Sequence, residues 1–155
     1  MIVTGWRIYK KRLGRTAFTG EGARRFGGRW NSPGHAVIYL AQSQALAALE
    51  MLVHMEAADA LKHYQMCPVT FSEALVEDLD GAILPANWRK DPPPRKLRAI
   101  GDEWIESGRS LVLRVPSAIV AAEHNFLLNP IHKDFPKIGI GRPERFKFDR
   151  RLLAP

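Results

Sequence analysis

The pattern of apolar runs predicts an α+β fold. Apolar segments of strand length and segments with one apolar helical face are both present, and they do not alternate as regular β-α-β units. A chain of 155 residues, 46% hydrophobic and 25% charged, suits one compact domain over residues 1–155, with mixed β-sheets and flanking helices.

From the N-terminus, Gly5 to Tyr9 sets Trp6 and Ile8 against Arg7 and Tyr9, the alternation of a half-buried strand. Lys10 to Phe26 is polar and glycine-containing and reads as a long loop with about one helical turn. Gly27-Gly28 lets the backbone approach a ligand closely, Arg29 adds a planar donor fork suited to phosphate, and Asn31-Ser32-Pro33-Gly34 reads as a turn. Residues 36–41 form a continuous apolar run interrupted by the Tyr39 phenol, as expected of a strand covered on both faces.

Ser43 is a candidate N-cap for a helix over 44–56 whose apolar stripe holds Leu46, Leu49 and Val53. Glu50 falls beside Leu46 at the edge of that stripe. It either meets the sheet partly desolvated or is a boundary glutamate facing water or a lysine. Met66 to Phe71 is a further strand, with Pro68 implying an edge or a bulge, and residues 72–93 read as irregular. Leu97, Ile100 and Trp104 predict a helix from about 94 to 107 ended by Gly108. Leu111 to Val115 is a strand stopped by Pro116, and Ser117 is by default a turn or capping residue. The segment from Glu123 to Pro130 reads as irregular, with Asn125 and Asn129 placed to tie down backbone, and Phe146 and Phe148 alternate in a final strand.

Several function classes are disfavoured. One cysteine, Cys67, forms no internal disulfide, and no cysteine pair or His-x-x-x-His pattern offers a metal site. No apolar run reaches the ~20 residues that cross a bilayer, and the N-terminus lacks a signal peptide's regions, so the expected compartment is the cytoplasm. Nucleotide fingerprint loops and the Gly-x-Ser-x-Gly elbow are missing. A net charge of +7 implies an anionic partner, whether nucleic acid, an acidic protein or a phosphorylated small molecule. The basic stretch after Arg142 is one candidate contact. An arginine, a tyrosine, a glutamate and a serine, with no strong nucleophile, suit a substrate that already carries a good leaving group.

Gly27-Gly28-Arg29-Trp30-Asn31, Tyr39-Leu40-Ala41, Leu49-Glu50, Pro116-Ser117 and Asn125-Phe126-Leu127-Leu128-Asn129-Pro130 together resemble the RES domain, over nearly the whole chain from Trp6 to Arg151. Phe126 and Lys133 stand where the family usually has tyrosine and proline. The resemblance implies a fold similar to ADP-ribosyltransferases such as diphtheria toxin. It also implies a toxin that breaks down NAD and is held inactive by an Xre-type helix-turn-helix antitoxin blocking the active site. A homodimer within that complex, no direct DNA contact by the toxin and no membrane association are further expectations.

Carried over residue by residue, the catalytic set becomes Arg29, Tyr39, Glu50 and Ser117. Arg29, Tyr39, Ser117, Asn31 and Asn125 are expected to touch substrate. No metal or cofactor is implied; NAD is the substrate, and inorganic phosphate is one candidate co-substrate beside water or a protein side chain. For that chemistry the Glu50 carboxylate and the Arg29 guanidinium must converge on opposite ends of one nucleotide-sized cavity.

Overall fold

The computed structural model describes residues 1–153. Eight strands share one sheet: β1 (Ile2–Lys10), β2 (Ile38–Ala41), β3 (Tyr64–Ser72), β4 (Val76–Asp78), β5 (Val112–Pro116), β6 (His124–Leu128), β7 (Gly139–Ile140) and β8 (Glu144–Phe146). Their order is β4-β5-β6-β2-β1-β3-β7, with β8 also on β3. Every pairing is antiparallel except that of β4 with β5. Three α-helices complete the α+β architecture: α1 (Glu21–Phe26), α2 (Gln44–Leu52) and α3 (Arg95–Ser107).

Register shows which side each helix covers. Trp6 pairs with Ala41, Ala41 with Asn125 and Asn125 with Val115, so these side chains share one face, joined at two-residue steps by Ile8, Tyr39, Leu127 and Leu113. On this face Leu46 and Ala47 of α2 pack with Ile8, Ala41 and Met66. Farther along, Leu97, Trp104 and Ile105 of α3 pack with Trp30, Leu113, Val115 and Leu127. The opposite face carries Leu40, Val69, Phe71, Val112, Phe126 and Leu128, covered by Phe18, Phe135 and Ile138. Both faces of the central strands are therefore covered along most of their length, with Tyr39 and Asn125 staying partly exposed.

Several expectations are corrected. The segment 10–26 is not a loop: Lys11–Phe18 is 3₁₀-helical and α1 follows, although α1 buries no side chain and so leaves no apolar periodicity to read. The segment around Asn125 is the central strand β6, and Phe126, Leu127 and Leu128 are all buried because both of its faces are covered. A short strand, β4, lies within residues 72–93. Helix α2 stops at Leu52 rather than 56, and Val53 is exposed rather than part of the stripe. The last strand ends at Phe146, and Phe148 is buried beyond it.

Pro68 is not on an edge strand, since β3 has neighbours on both sides. Its carbonyl accepts from Gly141 N (2.8 Å), so its missing N–H faces the β7–β8 side. There β8 pairs residues 64–66 and β7 pairs residues 69–70, and the proline occupies the interval between them.

Helix α3 opens after Pro94 and closes at Gly108, whose φ of +60° is the left-handed conformation that glycine adopts without cost. Gly101 in its middle lies flush against the main chain of Trp30: a Cβ there would overlap the Trp30 carbonyl oxygen.

Candidate functional site

Four residues, Gly28 to Asn31, build one end of the site. Gly27 (φ +73°) ends α1, and Gly28 N donates to Asn31 O (2.9 Å), closing a tight turn that projects Arg29. The Tyr39 hydroxyl on β2 sits under this turn. It donates to Asn31 Oδ1 (2.6 Å) and accepts from Trp30 N (3.1 Å). A Cβ on Gly28 would come within 2.6 Å of that hydroxyl, so the second glycine of the pair is required by close approach. Burial pushes the Tyr39 phenol well above its ordinary value, and it stays protonated.

Two expected substrate ligands have their polar atoms engaged within the protein. Asn31 is fully buried; its amide donates to Ala23 O (2.9 Å) and His35 O (3.0 Å), and its Oδ1 is taken by Tyr39. Asn31 thus ties the turn to α1 and to β2. The Tyr39 hydroxyl likewise spends both hydrogen bonds on the turn, which leaves its ring as the part able to face a ligand. Tyr39→Phe orphans the Trp30 N–H and Asn31 Oδ1, so urea denaturation should show a loss of about 1–3 kcal/mol. An unchanged midpoint would show that the turn does not depend on this hydroxyl.

The same loop is clamped to α3. Asp102 Oδ1 accepts from Ser32 N (2.8 Å), and His35 Nε2 lies 2.7 Å from Glu106 Oε1, with Nδ1 3.5 Å from Asp102. The Glu106 hydrogen bond, with both carboxylates, raises His35 above its ordinary 6.5 in the folded state. Its contribution to stability is thus fully present below about pH 6.5 and is lost as pH rises through the folded-state value. Solvent screens the pair, because the Glu106 side chain is 68% exposed. His35→Gln should lower the melting temperature measurably at about pH 5.5 and by less at about pH 8.5. An equal loss at both pH values would remove the charge from the explanation.

Arg29 reaches across to the segment before α3. Its Nη1 donates to Trp88 O (3.0 Å) and Lys90 O (2.8 Å), and Nη2 lies 3.9 Å from Asp91 Oδ1. The guanidinium keeps Nε and Nη2 without a hydrogen-bond partner among the described residues, and the side chain is 22% exposed.

The other end is built on α2. Ser43 caps that helix by accepting from Leu46 N (3.1 Å) and donates to Glu123 Oε1 (2.9 Å), fixing the helix start to the β5–β6 connection. Two turns on, Glu50 is half-buried against the sheet. Its Oε1 accepts from Ser117 Oγ (2.9 Å) and Asn125 Nδ2 (2.8 Å). Ser117, fully buried, also accepts from Ile119 N and Val120 N (3.1 Å each), so the turn role expected of it and its contact with the glutamate coexist. A carboxylate held through one oxygen keeps the other, Oε2, without a hydrogen bond among the described residues. Since the carboxylate can only accept, Asn125 must turn its nitrogen toward Glu50. Its Oδ1 is then buried without a partner.

Sheet register brings the two ends together. Tyr39 pairs with Leu127, so Asn125 is its diagonal neighbour on the same face, about 7–8 Å away. Tyr39 carries the Arg29 turn, and Asn125 carries Glu50. Two hollows of about 180 and about 280 Å³ lie elsewhere. The first is bordered by Leu61 and Phe146, the second by Arg109 and His132, and neither includes Arg29, Tyr39, Glu50 or Ser117. The Arg29 turn and Glu50 thus lie over one sheet face, apart from these two hollows.

Arg7 was missed by sequence reasoning. It sits where β1 and β2 part, since Trp6–Ala41 is their one register pair. Its Nε donates to Ala17 O (3.2 Å) and Nη1 to Tyr39 O (3.5 Å), with no carboxylate in ion-pair range among the described residues. Burial lowers it to about 10. It is thus a half-buried cation with no counter-charge among the described residues, touching the Tyr39 main chain from the side opposite Glu50. In the sequence it looks like an ordinary polar position of an alternating strand.

Comparison with known proteins agrees with these motifs. A protein of Yersinia enterocolitica named Toxin Res is 43% identical over 95% of this chain and 97% of its own length. One of Photorhabdus laumondii, also named Toxin Res, is 37% identical over 96% of each. A protein of a Sphingobium species named Prs ADP-ribosylating toxin is 33% identical over 87% of this chain and 86% of its own. In fold, the chain superposes with a TM-score of 0.78 on a chain of the M. tuberculosis MbcT–MbcA toxin–antitoxin complex, at 22% identity, covering 95% of this chain and 85% of that one. The pattern that defines the RES domain matches residues 4–149, and the chain belongs to the RES domain family.

Proposed function

We propose that this protein is the toxin of a toxin–antitoxin pair and acts by cleaving the nicotinamide–ribose bond of NAD. The observation that carries this reading is the Glu50 carboxylate, gripped through one oxygen by Ser117 and Asn125, on the sheet face that also bears the Arg29 turn. The names of the relatives and the toxin–antitoxin title of the structural neighbour support it.

Nicotinamide in NAD is a pyridinium. As its bond to C1′ breaks, the electron pair goes to the ring nitrogen, nicotinamide departs neutral without needing a general acid, and positive charge develops on the ribose. Glu50 Oε2 accepts from a ribose hydroxyl and stabilises that charge. Ser117 and Asn125 hold the carboxylate in place beforehand, so little reorganisation accompanies the step. The remaining donors of Arg29 bind a phosphate of the dinucleotide, and the Tyr39 ring flanks the nicotinamide. Water or inorganic phosphate then attacks C1′ and loses its proton to solvent. Transfer of ADP-ribose to a protein is the second reading, favoured by the printed name of the Sphingobium relative.

An Xre-type antitoxin covering the Glu50 face would silence the toxin, in the cytoplasm, with a toxin homodimer as one stoichiometry. No helix among the described residues is long and apolar enough to cross a membrane. The deciding experiment incubates purified, antitoxin-free protein with NAD, with and without phosphate, and identifies the sugar product. Free ADP-ribose indicates hydrolysis, its 1-phosphate indicates phosphorolysis, and a labelled protein indicates transfer. Intact NAD, in a folded sample with no labelled protein, overturns the proposal.

A further inference from the structure

The hollow of about 180 Å³ lies between the turn before β3 and the outer side of β8. It has an apolar floor. Leu61 is 78% exposed, while Phe146 meets Phe148 edge to face (5.0 Å between centroids), and Phe148 meets Tyr64 in the same manner (5.2 Å). Rings engaged in this way suit an inserted aliphatic or aromatic side chain better than a stacked base.

Its rim is basic. Arg145, Lys147 and Arg150 are exposed, and none has an ion-pair partner among the described residues. The neighbouring cations Lys62 and Arg151 are already matched, to Asp59 (2.8 Å) and Asp149 (2.9 Å). Beside the hollow, β8 pairs with β3 along one side, and its other edge is unpaired among the described residues. An unpaired edge offers backbone donors and acceptors to an added strand, and Arg145, Lys147 and Arg150 around it outweigh the exposed Glu144, so it repels basic strands and attracts acidic ones.

We infer that this edge receives an extended acidic segment of a partner protein, laid along β8 with one apolar side chain in the hollow between Leu61 and Phe146. The surface is separate from Glu50 and Arg29, and the inference does not depend on NAD cleavage.

The test is an NMR titration of the ¹⁵N-labelled protein with a short peptide alternating glutamate with valine and leucine. The same peptide with lysine for glutamate and a short single-stranded oligonucleotide are run alongside. Saturable shifts centred on Leu61, Arg145, Phe146 and Lys147, absent with the lysine peptide, are expected. The double variant Arg145→Glu/Lys147→Glu should bind about tenfold more weakly or worse, with melting temperature and NAD cleavage unchanged. Shifts centred elsewhere, equal binding by the double variant, or preferential binding of the oligonucleotide would overturn the inference. So would concentration-dependent shifts of these residues without peptide, which indicate a second copy of the chain on this edge.

Discussion

Glu50→Gln lowers the rate of nicotinamide release from NAD about a hundredfold or more, with a much smaller change in KM. Glutamine has nearly the same shape, and its carbonyl oxygen can still accept from Ser117 and Asn125, which hold the glutamate at 2.9 and 2.8 Å. The substitution therefore removes the negative charge while sparing the packing of α2. A hundredfold loss corresponds to about 2.7 kcal/mol, the scale of one preorganised electrostatic contact made chiefly in the transition state. The measurement is steady-state nicotinamide release beside a thermal melt. Near-normal turnover by a protein of unchanged melting temperature would take Glu50 out of the mechanism.

The second large effect concerns stability. Gly101→Ala places a methyl group against the Trp30 carbonyl oxygen, a backbone atom that cannot rotate away. Trp30 is itself 2% exposed and belongs to the core beneath α3. Either the helix or the Arg29 turn must therefore move. The expected cost is about 3 kcal/mol, a fall in melting temperature of roughly 6–12 °C for a chain of this size. Gly22→Ala is the control: a Cβ at this position in α1 meets nothing within 4 Å, and alanine is the better helix former. Equal melting temperatures for the two variants would show that the α3–Trp30 contact yields to a methyl group without cost.

Regular periodicity made much of the fold legible. The Ser43 cap and the α3 stripe closed by Gly108 each reflect a local rule that the tertiary structure leaves in force, whereas β1 was legible as a strand but not in its burial, since Tyr9 is buried and Trp6 only partly so. Strand β6 was hidden because coverage on both faces abolishes alternation, and α1 because it buries nothing. The edge position of Glu50 on its helix was also readable, because 100° per residue fixes it relative to Leu46. Motif membership, by contrast, cannot separate a residue that meets a ligand from one that holds its neighbour. Tyr39 and Asn31 show this, being bonded chiefly to each other and to the turn that presents Arg29. Arg7 was illegible for a related reason: its significance lies in the lack of a nearby carboxylate, which only the folded arrangement reveals.

The amide oxygen of Asn125 meets no donor among the described residues. An unmatched acceptor of this kind weakens the native state by about 1–3 kcal/mol, and the penalty falls on the residue that steadies the glutamate. The same side chain thus steadies the Glu50 carboxylate through its nitrogen and carries a local cost to stability at its oxygen.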